Sequence, residues 1–115
     1  AFTVLCQLVN GIGCDFAHVG MHGGYLSEPA EEIRERMVAL GTTIPSFSCG
    51  AHPGVVKKLM TEFGNDIMIT AGGAIHGHPM GVTAGARAFR QAITWDQQSA
   101  PPAELKAALD LWGMA

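Results

Sequence analysis

The 115-residue sequence has little charge and no long apolar segment. Charged residues make up 15% of the chain and the formal net charge is −3, so there is no basic surface for nucleic acid or for an anionic membrane. No apolar run reaches the roughly 20 residues that a membrane-spanning helix requires. We therefore expect neither nucleic acid nor a membrane among the partners of this protein.

The sequence also lacks the cysteine spacing of many redox and metal sites. Cys6, Cys14 and Cys49 are odd in number and contain no C-x-x-C pair. We interpret them as reduced thiols that serve as small buried hydrophobic residues. The first residues do not combine a basic segment with an apolar core, as a secretion signal would. These features predict a cytoplasmic location.

Apolar residues, at 48% of the chain, and glycine, with 15 residues, are abundant. Strand-like apolar runs occupy residues 15–20 and 44–48 and continue from Ile67, where a fully buried strand is predicted. Helical patterns occupy residues 2–10, 27–40, 53–63, 84–94 and 104–112. This alternation predicts an α/β fold with a parallel sheet.

Local signals predict details of the first two helices. Ser27 is the predicted N-cap of the second helix, with Pro29 in its first turn. The first helix has one apolar face, formed by Phe2, Leu5, Cys6 and Val9. The chain begins without Met inside this helical pattern, and three strands cannot close a barrel. We therefore expect a fragment of a longer protein, with barrel units in residues 1–94 and a C-terminal helix in residues 99–115.

Each predicted strand ends in a loop that carries glycine and histidine. Ligands of parallel sheets bind outside the carboxyl ends of the strands. Gly72 and Gly73 would let backbone N–H groups approach a phosphate, and the helix expected beyond Pro79 would add its positive dipole. A tight turn without a ligand is the alternative interpretation. The spacing of His76 and His78 does not suit a metal site on one helix face, so no metal ligand is predicted.

Three motifs in this order resemble the large subunit of RuBisCO: Asp15-Phe-Ala-His-Val-Gly, Ser48-Cys-Gly-Ala-His-Pro-Gly and Ala71-Gly-Gly-Ala-Ile-His-Gly-His-Pro-Met-Gly. The resemblance extends to about Ala92. It implies the C-terminal portion, about strands 6 to 8, of a (β/α)8 TIM barrel.

The resemblance also implies substrate contacts. His18 would contact one phosphate and Ser48 a substrate hydroxyl, while the backbone amides of Gly50, Gly72 and Gly73 would hold the other phosphate. From the residues alone, His18 is better explained as a hydrogen-bonded core histidine, and Ser48 as an ordinary serine at a strand end.

The sequence is more similar to the RuBisCO-like proteins, also called form IV. Tyr25 stands where the carboxylases have a lysine that stabilises the carboxylated intermediate, and tyrosine carries no positive charge at neutral pH. We therefore predict that the protein does not fix CO₂. His22 and Tyr25 would lie in a loop that tunes specificity.

The resemblance implies a Mg²⁺-dependent enolase or isomerase that acts on a phosphorylated keto-sugar or its methylthio analogue. The 2,3-diketo-5-methylthiopentyl-1-phosphate enolases of methionine salvage are the nearest group. The Mg²⁺ ligands of the family would lie outside this chain, and the sequence identifies no catalytic base. We thus expect the isolated chain to be inactive and the full-length protein to be a homodimer.

Three alternatives remain open at this point. The chain could be an inactive phosphate-binding or assembly module. It could be a relative of the genuine ribulose-bisphosphate carboxylases. It could also belong to another phosphate-binding barrel, such as a flavin-dependent one, although the loop around His18 would then be unexplained.

Overall fold

A computed structural model describes residues 2–23 and 27–115 of the chain. Strands and helices alternate in it, as the apolar pattern predicts. The elements in chain order are α1 (Phe2–Gly11), β1 (Phe16–Gly20), α2 (Ala30–Leu40), β2 (Ile44–Phe47), a 3₁₀ turn (Pro53–Val55) that leads into α3 (Val56–Phe63), β3 (Met68–Ile69), α4 (Gly73–His76), α5 (Val82–Thr94) and α6 (Ala103–Trp112).

The strands form one parallel sheet in the order β1-β2-β3. His18 pairs with Ser46, but the next pair joins Gly20 to Phe47, so Val19 is an extra residue in β1. The strand predicted from Ile67 is only two residues long and half-buried, not fully buried. Its position at the sheet edge explains this difference, because β3 has a hydrogen-bonding neighbour on one side only.

The helices pack against one face of the sheet. Their core residues fill the space above it, with Val19, Phe47, Ile33, Leu40, Val55 and Leu59 completely buried. On the alternate face, Phe16 is 55% exposed, Ile44 is 43% exposed and His18 is also exposed. The described chain therefore buries one face of the sheet and leaves apolar side chains exposed on the other.

Two helix predictions are corrected by the structure. Helix α2 begins at Ala30 after Pro29, and the Ser27 hydroxyl instead accepts a 2.9 Å hydrogen bond from the Gly23 N–H. Ser27 thus closes the preceding turn and is not the N-cap. In α1, Cys6 is buried as predicted, but Leu5 is 56% exposed because α1 packs mainly along α2.

A short helix that the sequence did not predict follows Gly72. Helix α4 has four residues, and the longer α5 begins only at Val82. A helix of four residues has almost no aligned dipole, so the predicted dipole contribution at the glycine pair is not supported. Helix α6 packs on the outside through a second cluster of buried residues, formed by Val56, Ala92 and Leu105. None of the helices described is long and apolar enough to cross a membrane.

Candidate functional site

A cavity of about 350 Å³ lies where β2 and β3 end. It brings together Gly50, Gly72 and Gly73, which are the three glycines singled out in the sequence. The remaining lining residues come from the same two loops and from α6: Cys49, Ala51, His52, Thr70, Ala71, Ala74 and Trp112. The lining contains no lysine, arginine or carboxylate, so neutral groups surround whatever enters.

The glycine pair faces open space. A Cβ built on Gly72 or Gly73 has no atom within 4 Å, apart from those of its chain neighbours and the local helix backbone. Within the described ranges, neither N–H group makes a hydrogen bond to a backbone or side-chain acceptor. Packing inside this chain therefore gives no reason for two glycines here, and the two N–H groups are available to a ligand.

The loop after β2 makes a sharp turn beside the same cavity. Cys49 and Gly50 have φ values of +71° and +98°, which lie in the left-handed region. Glycine adopts this conformation freely, whereas for cysteine it costs about 1 kcal/mol or more. Cys49 is exposed and Cys14 half-buried, so the interpretation of the cysteines as buried hydrophobic residues holds for Cys6 only.

His52 caps the turn that opens α3. Its Nδ1 accepts a 3.1 Å hydrogen bond from the Gly54 N–H, because a backbone amide can only donate. In the neutral imidazole the proton is then on Nε2. Burial lowers the pKa of His52, which favours this neutral form. His52 thus lines the cavity as a neutral imidazole instead of a cation.

His78 connects the loop after β3 to α6. Its Nδ1 accepts a 3.0 Å bond from the Met80 N–H, and its Nε2–H donates to the Glu104 carbonyl at 2.8 Å. The side chain is 4% exposed. These bonds confirm the interpretation of the His78 segment as a structural support. His76, two residues earlier, is exposed.

His18 lies within β1, and Ser48 directly follows the end of the neighbouring strand β2. His18 lies on the uncovered face, and the Ser48 N–H donates to the Gly20 carbonyl at 3.2 Å. The described cavity lining includes neither residue, so their substrate contacts remain predictions. Sequence reasoning missed Ser46, whose buried hydroxyl has no hydrogen-bond partner in the described part of the chain.

The loop after β1 is held by polar contacts at its base. His22 donates from Nδ1 to the Glu28 carbonyl at 2.7 Å and packs edge-on against Phe63. Arg36 bonds the Val19 carbonyl and the Glu28 carboxylate, both at 2.8 Å. The predicted specificity residue His22 is therefore anchored, and it lies outside the glycine cavity. The other predicted specificity residue, Tyr25, falls outside the described residues.

Trp112 is the cavity residue that sequence reasoning overlooked. Its ring lies 6.2 Å from the His52 ring at an interplanar angle of 21°, and 6.4 Å from the His78 ring. A signal for its inward direction existed, since Leu105, Ala108 and Trp112 follow the i, i+3, i+7 spacing of a buried helix face. That spacing could not reveal which loops the indole would contact.

Another hollow, of about 570 Å³ and more apolar than the glycine cavity, runs along β3. Its lining includes Ile67, Ile69, Phe89 and Ile93. It contains none of the predicted site residues. No group of three His, Cys, Asp or Glu side chains suited to a metal ion occurs in the described ranges.

Comparison with known proteins identifies the family. The family model described as ribulose bisphosphate carboxylase large chain, catalytic domain, matches residues 27–112. A 2,3-diketo-5-methylthiopentyl-1-phosphate enolase from Bacillus cytotoxicus is 47% identical over 122 aligned positions, which cover 96% of this chain and 30% of that protein. A ribulose bisphosphate carboxylase from Pyrococcus furiosus is 34% identical over 123 positions, which cover 95% and 29% of the two chains.

A solved structure agrees with this assignment. The crystal structure of a RuBisCO-like protein from Alicyclobacillus acidocaldarius matches with a TM-score of 0.84 and 32% identity, over 98% of this chain and 32% of that chain. The chain spans about 30% of the length of the curated relatives described above. Both the predicted family and the predicted fold are confirmed: the chain belongs to the RuBisCO large-chain family and has the α/β fold of the C-terminal portion of its catalytic barrel.

Proposed function

We propose that this chain is part of an enolase that acts on a phosphorylated keto-sugar or its methylthio analogue, of the 2,3-diketo-5-methylthiopentyl-1-phosphate class. The observation that carries the proposal is the 47% identity to an enolase of that name across 96% of the chain. The carboxylase from Pyrococcus furiosus reaches 34% over the same extent. Tyr25, in place of the carboxylase lysine, supports the same choice.

The contribution of this chain is to hold and orient the phosphate group. Gly72 and Gly73 line the open cavity, and their N–H groups make no hydrogen bond within the described ranges. Gly50 lies in the left-handed turn of the neighbouring loop, and His52 lines the cavity as a neutral imidazole. Donors of this kind bind an anion through hydrogen bonds to fixed dipoles, which leaves its charge to be balanced from elsewhere in the full-length protein. His18 and Ser48 are proposed to contact the remainder of the substrate.

Mg²⁺ does not fit the donors of this chain. A hard divalent cation takes about six oxygen ligands, whereas the described residues offer no cluster of carboxylates and histidines. We infer that the ligands of any such ion lie in the rest of the full-length protein.

The proposed setting is a homodimer in the cytoplasm. The face of the sheet that carries the half-exposed Phe16 and Ile44, together with the exposed Leu5 and Leu8 of α1, presents apolar surface that needs a covering layer. The rest of the barrel and a second subunit would provide it. The three cysteines are free thiols, which agrees with a reducing compartment.

Two assays on the full-length protein test the proposed activity. The first follows proton exchange with solvent on 2,3-diketo-5-methylthiopentyl-1-phosphate by NMR. The second supplies ribulose 1,5-bisphosphate with labelled bicarbonate. We expect exchange in the first assay and no labelled three-carbon acid in the second.

Each contrary outcome selects a different alternative. Substantial label in a three-carbon acid would place the protein among the carboxylases. Saturable binding of the phosphate ester without any exchange would indicate an inactive phosphate-binding module. Absence of both binding and exchange would reject the phosphate site itself.

A further inference from the structure

We propose that Trp112 is a positioning residue of the glycine cavity, whose indole ring keeps the loops after β2 and β3 at the separation that a phosphate group requires. This inference rests on the proposed function, because it assumes that Gly50, Gly72 and Gly73 bind the phosphate. It adds the C-terminal helix α6, which contributes no glycine or histidine, to the binding site.

The contacts of the indole support a spacer role. Its ring is nearly parallel to the His52 ring, with the centroids 6.2 Å apart. It also lies 6.4 Å from the His78 ring, and its Cζ2 is 3.9 Å from the position of a Cβ on Gly77. His52 belongs to the segment of Gly50, whereas Gly77 and His78 belong to the segment of Gly72. The indole is therefore close to both of the segments that carry the glycines.

The ends of α6 are fixed, so the indole has little freedom to move. At the N-terminal end, the Glu104 carbonyl accepts from His78, and the Leu105 N–H donates to the Gln91 side chain at 3.1 Å. At the C-terminal end, the Ala115 N–H donates to the Gly54 carbonyl at 3.2 Å. Gly113 passes so close to Gly54 that a Cβ there would overlap the Gly113 carbonyl oxygen. A rigidly held aromatic ring is a suitable spacer, because its fixed size determines the distance between the loops that it contacts.

The position of Trp112 makes the cavity sensitive to the size of this side chain. Gly50 precedes His52 by two residues, and Gly73 begins α4, which ends just before Gly77. Removal of the indole would allow the two loops to approach each other or to separate. The N–H groups of the glycines would then no longer converge on one anion, although each loop would keep its own conformation.

The test measures binding of inorganic phosphate and of 2,3-diketo-5-methylthiopentyl-1-phosphate to the full-length protein by calorimetry. It uses Trp112→Ala and Trp112→Phe, with Leu111→Ala as a matched control on the exposed side of α6 and Gly72→Val as a test of the cradle. Thermal unfolding of each variant selects a temperature at which all are folded. We expect the dissociation constants to rise about tenfold for Trp112→Ala, about threefold for Trp112→Phe, and not at all for Leu111→Ala.

The outcomes separate this inference from the proposed function. If Gly72→Val weakens binding but both Trp112 variants bind like the parent protein, Trp112 is merely structural and the inference is wrong, while the phosphate site stands. If neither Gly72→Val nor the Trp112 variants weaken binding, the phosphate site is wrong as well. Should Trp112→Ala fail to fold, Trp112→Phe decides alone, because unchanged affinity in that variant overturns the inference.

Discussion

Glycines of two kinds surround the ends of β2 and β3, and they differ in what a side chain would meet. A Cβ on Gly85 would overlap the Ile75 carbonyl oxygen and lie 2.8 Å from the Ile75 Cα. On Gly54 it would overlap the Gly113 carbonyl oxygen. On Gly72 and Gly73 it would enter open space. The first two glycines are therefore explained by close packing of the backbone, and the last two are not.

This difference distinguishes the glycines that support the candidate site from those that form it. Gly85 lets α5 approach Ile75 in α4, and Gly54 lets the segment after α6 approach the loop after β2. These packing glycines hold the two loops in place. Gly72 and Gly73 make no such close contact within the described chain. Each of them lowers stability, because glycine loses more conformational entropy on folding than any other residue. A ligand that must approach the backbone closely would account for them.

Substitution of a packing glycine should have the largest effect. In Gly85→Val the added atoms would overlap the Ile75 backbone, which cannot move aside as a side chain could. Valine gains only a few tenths of a kcal/mol over glycine in helix propensity. We expect the steric clash to outweigh this gain in helix propensity. The free energy of unfolding, measured by urea titration of the full-length protein, should fall by about 3 kcal/mol.

The matched control is Ala86→Val, the next residue of the same helix, which is exposed. Its expected cost is about 0.6 kcal/mol, from helix propensity alone. Similar losses in the two variants would show that the close approach of α5 and α4 is unimportant for stability.

The second effect concerns the support that His78 gives to the glycine loop. His78→Ala would leave the Met80 N–H without this partner and would remove the bond from the imidazole to the Glu104 carbonyl, both at partly buried positions. Loss of the two hydrogen bonds of a buried side chain predicts a decrease of about 2 kcal/mol in the free energy of unfolding. The control His76→Ala, at the exposed histidine that ends α4, should change it by less than about 0.5 kcal/mol. A His76 effect as large as that of His78 would contradict the distinction between support and open surface.

The third prediction concerns an open glycine. Gly72→Val should weaken binding of a phosphate ester about tenfold, which corresponds to about 1.4 kcal/mol, because the side chain would occupy the space beside the free N–H groups. Stability should fall much less than in Gly85→Val, since the Cβ position of Gly72 lies in open space. Calorimetric titration and thermal unfolding of the full-length protein measure the two quantities. Unchanged affinity would mean that Gly72 does not bind the ligand.

The sequence predicted the order of the elements because that order follows from local apolar patterns. All three strands and the main helices agree with the apolar spacing. The same patterns could not predict that Leu5 would be exposed or β3 only half-buried, since both depend on the neighbours that a segment finds in three dimensions. The N-cap at Ser27 failed for a similar reason, because the hydroxyl found a competing donor in Gly23.

The sequence indicated the part of the candidate site that consists of backbone groups. It did not indicate the part that depends on packing between residues far apart in the chain. Gly50, Gly72 and Gly73 were identified because glycine after a strand is a local signal. Trp112 is 39 residues beyond Gly73, and only the docking of α6 brings it to the cavity. The direction of the His52 and His78 rings likewise depends on backbone groups that the sequence does not place.

The smallest expected effect is the pH dependence contributed by His52. Burial lowers the pKa of this histidine in the folded protein below its ordinary value of about 6.5. As the pH falls, the unfolded chain is therefore protonated first, and it binds more protons than the folded protein until the pH passes the folded-state pKa. The contribution to stability is complete above about pH 6.5 and is lost as the pH falls through the folded-state pKa. His52→Asn can keep the bond from the Gly54 N–H, because asparagine is a good N-cap, but it does not titrate. Urea unfolding of the full-length protein at several pH values from about 7.5 to 5 should show a shallower loss of stability for this variant. Equal slopes in the two proteins would mean that His52 titrates alike in the folded and unfolded states.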